Sequence, residues 1–431
     1  MMIRLLGLLA LVACPPTTGA QVSFHPLGDL PGGTSNSRAR AVSPDGTVVA
    51  GVSESGSGLE ACSAPLGGPL LGLGDLPGGL FGSDAFGISS SGGVIVGRGT
   101  TSASDTLFEA FRWNAGSGTM SPLGFLTNGY SSTAYAVSAD GLVVVGDCLT
   151  AFVGAPPPLP AVRAFRWTAA DGMVDLGTLP GFAQGPGSTV TARGVSNAGD
   201  VVVGYASDAA FQNHPFRWTA QGGMVDLGGG TVTGQAWGCS PDGSVVVGRT
   251  TGATLEPFVW TQADGLRLLG LLPGHVSGVA FDATNNVGER LCGLHSAGTG
   301  SNTAVIWDRN LVTGGDPSTG WRQVISVLWD GGVDMTGWIL TRANAMSDDG
   351  RVIVGEGFDP GGLPQGWAAV IPLAPRPCPA DFNGSGGLSV QDIFDFLTAY
   401  FGDDPRADVN GSGGVSVQDI LDYLDLYFTG C

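Results

Sequence analysis

The chain of 431 residues contains no lysine; all 18 of its basic residues are arginine. That excludes a Schiff-base lysine and a phosphate-binding P-loop, both of which need an amine. Histidine is scarce too. His25, His214, His275 and His295 are scattered, and no two stand at the spacing of a helical metal pair. Neither HExxH nor G-x-S-x-G occurs, so the zincin and hydrolase-elbow signatures are missing. A Ser-His-Asp triad assembled from separate repeats leaves no local signature, and no carboxylate pair stands out from the many turn aspartates. Charged residues are only 13% of the chain, and no apolar run is long enough for a helix to cross a bilayer. Net charge is −19. So acidic a chain repels phosphate backbones, which argues against nucleic acid as a partner.

Glycine is abundant, at 74 residues, with runs of valine between turns. This composition predicts many short strands, and no long helix before residue 380. One segment recurs: AVSPDGTVVAG at 41–51, GISSSGGVIVG at 87–97, AVSADGLVVVG at 136–146, GVSNAGDVVVG at 194–204, GCSPDGSVVVG at 238–248 and AMSDDGRVIVG at 345–355. A degraded copy runs from Ala280 to Gly293. Seven copies at intervals of about 42 to 65 residues suit one four-stranded propeller blade each.

Each unit has an internal order. Asp45-Gly46, Asp140-Gly141, Asp242-Gly243 and Asp349-Gly350 are hairpin turns, and the valines after them read as strands buried on both faces. An aromatic strand follows: AFRW at 110–113 and 164–167, PFRW at 215–218, PFVW at 257–260, AVIW at 304–307. A strand leading into DLG comes last, as in MVDLG at 173–177 and 224–228. The phase is informative. The chain opens with a spare DLG-type strand at 22–30, and the last repeat stops at its aromatic strand, 367–370. Pairing the two closes a ring and removes two exposed edges. The expectation is an all-β, seven-bladed β-propeller over residues 21–371, closed by the N-terminal strand. Trp113, Trp167, Trp218, Trp260 and Trp307 share one repeat position and should pack blade on blade. Trp237, Trp321, Trp329 and Trp338 lie off that register and are candidates for a ligand-facing surface. Together the repeats resemble the bacterial extracellular HAF-repeat family over about residues 22–371. The family's histidine is absent from most copies here, His214 standing one place removed, and the resemblance assigns no chemistry.

Residues 372–377 form a Pro-rich linker, and the composition changes after it. DFNGSGGLSVQD (381–392) and DVNGSGGVSVQD (408–419) match at ten of twelve positions, 27 residues apart. Positions one, three and five are Asp381, Asn383 and Ser385, then Asp408, Asn410 and Ser412, all with side-chain oxygens. Gly386 and Gly413 allow the sharp bend. Gly387 and Gly414 offer carbonyls, Ser389 and Ser416 can act through water, and Asp392 and Asp419 close the loops with a carboxylate. This is a ligand order for two Ca²⁺ ions, with Asp where an EF-hand has Glu. Amphipathic helices follow at 393–401 and 420–428. The region holds nine Asp and one Arg, so its folding should be coupled to metal uptake.

Loop then helix, twice, with Asp at position twelve, resembles a dockerin domain over residues 378–431. Its CPADFN start and Gly430-Cys431 end are similar to the GC-type variant. The resemblance implies a Cys378–Cys431 disulfide, which would staple a small core. It also implies docking on a cohesin-like or other cell-surface partner through residues near Val390-Gln391 and Val417-Gln418, identical in the two halves.

The N-terminus carries Arg4, the apolar stretch Leu5–Val12 and small residues up to Ala20. This predicts a secretory signal over residues 1–20. Leu11-Val12-Ala13-Cys14 resembles a lipobox, which would instead anchor the protein by a lipid on Cys14. Export permits disulfides, though the pairing of Cys62, Cys148, Cys239 and Cys292 is not readable from sequence. Every strong motif is structural. The sequence therefore favours a non-enzymatic, calcium-binding surface protein with the propeller as binding scaffold, glycan being one possible ligand. The competing reading is a dockerin-bearing polysaccharide-degrading enzyme, glycoside hydrolase or lyase, by analogy of fold.

Overall fold

The structure is a computed structural model. It describes residues 22–101, 107–151, 160–182, 185–252, 255–284, 289–298, 300–312, 315–373, 380, 382, 388–402, 407, 409 and 415–429. The sequence-predicted signal segment and Cys14 lie outside these, as do Cys378 and Cys431. The chain falls into two compact units, Met1–Leu373 and Ala374–Cys431.

The first unit consists of seven four-stranded antiparallel sheets, the blades. Their innermost strands are Gly32–Val42, Ser83–Ile88, Gly129–Val137, Val190–Val195, Gly234–Cys239, Ser277–Ala283 and Ile339–Met346, in blades 1 to 7. In blades 1 to 6 the strands follow chain order outward. In blade 7 the outer place is taken by Ser23–Pro26. It runs antiparallel to Pro364–Val370, with Ser23 opposite Val370 and Pro26 opposite Trp367. The ring is closed as the repeat phase requires. Phe24 secures the closure, its ring 4.9 Å from Trp338 and 6.3 Å from Trp367.

The hairpin turn is a local device repeated around the ring. The Ser43 hydroxyl donates to Asp45 Oδ1 at 2.6 Å, and the Val48 N–H donates to Ser43 Oγ at 3.0 Å. Ser138/Asp140, Ser240/Asp242 and Ser347/Asp349 repeat the first bond at 2.6 Å. Glycine after the aspartate takes a positive φ, +68° at Gly243, which a Cβ disfavours. A Cβ there would also stand 2.6 Å from Val201 of the preceding blade. One residue thus serves both turn and blade packing.

The second strands are mostly buried, and Val201–Ser207 is buried at every position. Phe111, Phe165, Phe216 and Phe258 of the third strands have no exposed surface. Trp113 packs with Ala41, Ala50 and Ala61 of blade 1, Trp260 with Val201 and Val203 of blade 4, and Trp307 with Val245 and Val247 of blade 5. These tryptophans are blade-on-blade core, as expected. The degraded sixth repeat has Arg290 in place of a strand valine. It is fully buried and paired with Asp308 at 2.7 Å, and it donates to the carbonyls of Gly350, Ile371 and Pro372. A buried charge so completely partnered ties blade 6 to blade 7 and to the end of the ring.

Helix α1, Val324–Asp330, links blades 6 and 7 and buries Val324 and Leu328 against Ile353 and Trp367. Cys62, Cys148, Cys239 and Cys292 are buried and unpaired. Burial pushes the Cys148 thiol up to about 11 and Cys239 up to about 12, so these are inert core thiols.

In the second unit, helices α2 (Val390–Phe401) and α3 (Val417–Thr429) carry matching residues 27 positions apart. Phe396 and Tyr423 occupy equivalent places and stack with ring centres 4.0 Å apart at 0°. Ala380 and Ala407, also equivalent, are fully buried, and Tyr423 Oη donates to the Ala380 carbonyl at 2.9 Å. The core is therefore two-fold symmetric in its stacked rings and buried alanines, while the Tyr423 hydroxyl has no counterpart on Phe396. Among the described residues no helix is long and apolar enough to cross a membrane.

Candidate functional site

Of the ten sequence-predicted calcium ligands, Asp381, Asn383, Ser385, Gly387, Asp408, Asn410, Ser412 and Gly414 lie outside the described residues. The two closing carboxylates are described. Asp392 and Asp419 sit in the first turns of α2 and α3 with no exposed surface. Asp392 Oδ2 accepts the Ser389 N–H at 2.8 Å and its hydroxyl at 2.9 Å. Asp419 makes the same two bonds with Ser416, at the same distances. The serines at position nine are thus helix-start donors that fix the closing carboxylates. Burying a carboxylate costs free energy unless donors or a cation surround it, and both loops end on such a group.

The second candidate lies on the propeller axis. Every innermost strand carries a β-bulge at one repeat position, between Ala39 and Ala41, Ala85 and Gly87, Ala134 and Ala136, Ala192 and Gly194, Ala236 and Gly238, Ala280 and Asp282, and Ala343 and Ala345. Bulges re-aim side chains. The residue before the bulged one is alanine in all seven blades. The bulged residues are four aromatics (Phe86, Tyr135, Trp237, Phe281), two arginines (Arg40, Arg193) and Asn344. All seven are half-buried, and together they line one cavity of about 180 Å³ on the axis.

Arginines pack against the aromatic faces of this ring. The Arg193 guanidinium lies 3.9 Å from the Tyr135 ring centre and 4.8 Å from Trp237. Arg342 lies 4.6 Å from Phe281, and Arg98 lies 5.6 Å from Phe86. Trp237 meets Phe281 edge-on at 5.6 Å. Ion pairs are loose: Arg40 to Asp84 at 3.4 Å, and Arg38 and Arg342 to Glu356 at 3.5 Å. Arg40 and Arg193 line the cavity with a single carboxylate, Asp282, while Arg38, Arg98, Arg249 and Arg342 stand on the inner strands around it with Asp84, Asp147 and Glu356. The site is cationic inside an acidic chain. Burial pushes Asp147 up to about 6 and Asp282 up to about 7, so both are neutralised more readily than an ordinary aspartate.

At the hairpin end the axis is crossed. Asn197 of blade 4 donates from Nδ2 to Asp348 of blade 7 at 2.6 Å. Ser90 N–H to Ala139 carbonyl, Ala139 to Asn197 and Asn197 to Pro241 form a partial girdle at the same level.

The off-register tryptophans divide. Trp237 faces the axial cavity and Trp329 is 55% exposed. Trp321 is buried in the outermost strand of blade 6, and Trp338 packs on Phe24. These two are structural: Trp321 packs with Val245 and Val247 of blade 5, and Trp338 packs on the closing strand.

No family model matches the chain, and no curated protein matches it. Solved structures do. A structure from a study of two prolyl endopeptidases is 11% identical, with a TM-score of 0.50 over 80% of this chain and 51% of that one. This likeness shows the fold alone. The chain is a seven-bladed β-propeller. The propeller domain of the Trilobed protease from Pyrococcus furiosus matches at 11% identity and TM-score 0.47, over 77% of this chain and 95% of that one. TolB from Acinetobacter baumannii matches at 12% and 0.40, over 62% of each chain. The propeller thus spans about half of the endopeptidase chain and less than two thirds of that TolB.

Proposed function

We propose that this is an exported, extracellular or cell-surface, calcium-binding protein built on a non-catalytic propeller of HAF-like repeats. Its dockerin-like module, residues 378–431, takes two Ca²⁺ ions and docks on a cohesin-like or other surface protein. Anchoring by a lipid on Cys14 is the alternative to release at Ala20. One observation carries the reading: Asp392 and Asp419 are buried at equivalent helix starts and oriented by identical serine bonds. The remaining ligands would be Asp381, Asn383, Ser385, Gly387, Asp408, Asn410, Ser412 and Gly414, an all-oxygen set that suits a hard cation. Ca²⁺ would neutralise two carboxylates per loop, and a Cys378–Cys431 bond would join the ends.

The exposed surface supports docking. Val390, Phe394 and Phe401 on α2, and Val417, Leu421 and Phe428 on α3, are each more than half exposed at matching positions. Gln391 and Gln418 beside them bond Asp395 and Asp422 within their own helices. Two equivalent apolar faces allow a partner to bind in either of two orientations. In a pull-down from the native cell envelope, the full chain should capture its partner in calcium and lose it in chelator. The double variant V390D/V417D should lose it in both. Equal capture by that variant in calcium contradicts the docking face.

The raised carboxylates favour one second reading. Asp147 and Asp282, pushed up to about 6 and about 7, are in the range of a general acid, as a dockerin-bearing glycoside hydrolase or lyase would need. Turnover in a glycan-depolymerisation screen would replace the scaffold reading with this one.

A further inference from the structure

We propose that the axial cavity of the propeller is a binding site for the terminal unit of an acidic saccharide, one carboxylated sugar deep. The inference rests on the scaffold reading above and assigns that scaffold a ligand and a place.

Four features of the cavity lead there. The first is unmet hydrogen bonding. The Nε–H groups of Arg40, Arg98 and Arg193 and the indole N–H of Trp237 are buried without an acceptor among the described residues. Asp84 Oδ1, on the innermost strand behind Arg40, lacks a donor among the described residues. Native interiors satisfy nearly all such atoms; three of these, Arg40 Nε, Arg193 Nε and Trp237 Nε1, belong to residues that line the cavity, and they mark a place where a ligand or ordered water completes the bonds. The second is the kind of atom left over. Planar guanidinium N–H groups suit carboxylate oxygens, and the amide oxygen of Asn344, which lines the cavity, can accept from hydroxyls. The third is the set of aromatic faces, which suit the C–H faces of a pyranose as they suit other apolar ring surfaces. A uronate carries carboxylate, hydroxyls and apolar ring faces on one small frame. A simple anion lacks the faces, and a neutral sugar lacks the charge.

The fourth is size and access. About 180 Å³ equals the liquid volume of roughly six waters, enough for one sugar ring. The Asn197–Asp348 bond between non-adjacent blades crosses the axis at the hairpin end. A polymer cannot thread through without breaking it. The saccharide therefore enters from the opposite face and presents a chain end.

The test is calorimetric titration of the full chain with trisaccharides of glucuronate, galacturonate and mannuronate. The neutral trisaccharides of the same sugars, inorganic phosphate and triglutamate are the comparisons. At least one acidic trisaccharide should bind saturably, with affinity at least ten-fold above its neutral counterpart, phosphate and triglutamate. R193Q and R40Q should each lower that affinity at least ten-fold, and W237F, which keeps a ring but loses the N–H, about three-fold. R40Q alters a partly exposed side chain, so it keeps the test open should R193Q fail to fold. No saturable uronate binding, equal binding of the neutral sugar, phosphate or triglutamate, or unchanged affinity in folded R40Q overturns the proposal. Binding with turnover sinks the scaffold reading and leaves this site standing. Calcium-dependent partner capture without uronate binding does the reverse.

Discussion

Asp282 changes the wall it stands in. The other six blades have glycine or alanine at its position. Asp282 instead accepts the Met346 N–H of blade 7 at 3.0 Å and the Ala283 N–H at 2.9 Å. Burial outweighs those bonds and pushes its carboxyl up to about 7 from an ordinary 3.8; burial likewise pushes Asp147 up to about 6. The sign follows from proton linkage. Between about pH 4 and 7 the folded chain holds protons on these groups that the unfolded chain has released. Their contribution is therefore full below about pH 4, and it is lost as pH rises through 6 and 7. In calorimetric melts at saturating Ca²⁺, the full chain should melt several degrees lower at pH 8 than at pH 5. D282N, which has no charge to bury, should show a smaller drop. An unchanged drop in D282N contradicts this role for Asp282.

At the scale of the element, the hairpin turn and the bulge carry the blade. Gly243 and Gly265 share a φ of +68°. A Cβ at Gly243 meets Val201 at 2.6 Å, whereas at Gly265 nothing lies within 4 Å. G265A should thus cost only the left-handed backbone term, about 1 kcal/mol. G243A should cost a further ~1–3 kcal/mol for overpacking the blade interface, read as the difference between two denaturant midpoints. Equal costs would mean that the turn, and not the blade contact, requires glycine.

Much of this architecture was legible. Ser-x-Asp-Gly followed by valines is a turn and strand signal, and its recurrence gave both the number of blades and the phase that closes them. The axial ring was missed for a specific reason. The recurring segment begins at Ala41, Gly87 or Ala136, one residue past Arg40, Phe86 and Tyr135. Only the column between an invariant alanine and a small residue holds large side chains, and a bulge there breaks the alternation that marks a strand's faces. Helix α1 was missed because Val324, Ile325 and Val327 favour strand. Packing of Val324 and Leu328 against blade 7 overrides that preference. The calcium ligands were named by spacing alone, and only Asp392 and Asp419 lie within the described residues.

At the scale of the whole molecule, the ring stands on a closure made by chain ends far apart in sequence. Phe24→Ala removes the contacts of the closing strand with Trp338 and Trp367 and should destabilise the propeller by about 2–4 kcal/mol. Trypsin has only arginines to cut, so it should cleave this variant faster than the parent, within residues 22–373. An unchanged cleavage rate and melting temperature would mean that the closing strand contributes little.

The central claim is that the C-terminal unit is a two-ion calcium module. Calorimetric titration of the metal-stripped full chain with Ca²⁺ tests it most directly. The account predicts uptake of two ions, a gain in helical circular dichroism during the titration, and loss of both in D392A/D419A. An absence of uptake at millimolar Ca²⁺, or undiminished uptake in the double variant, would contradict it.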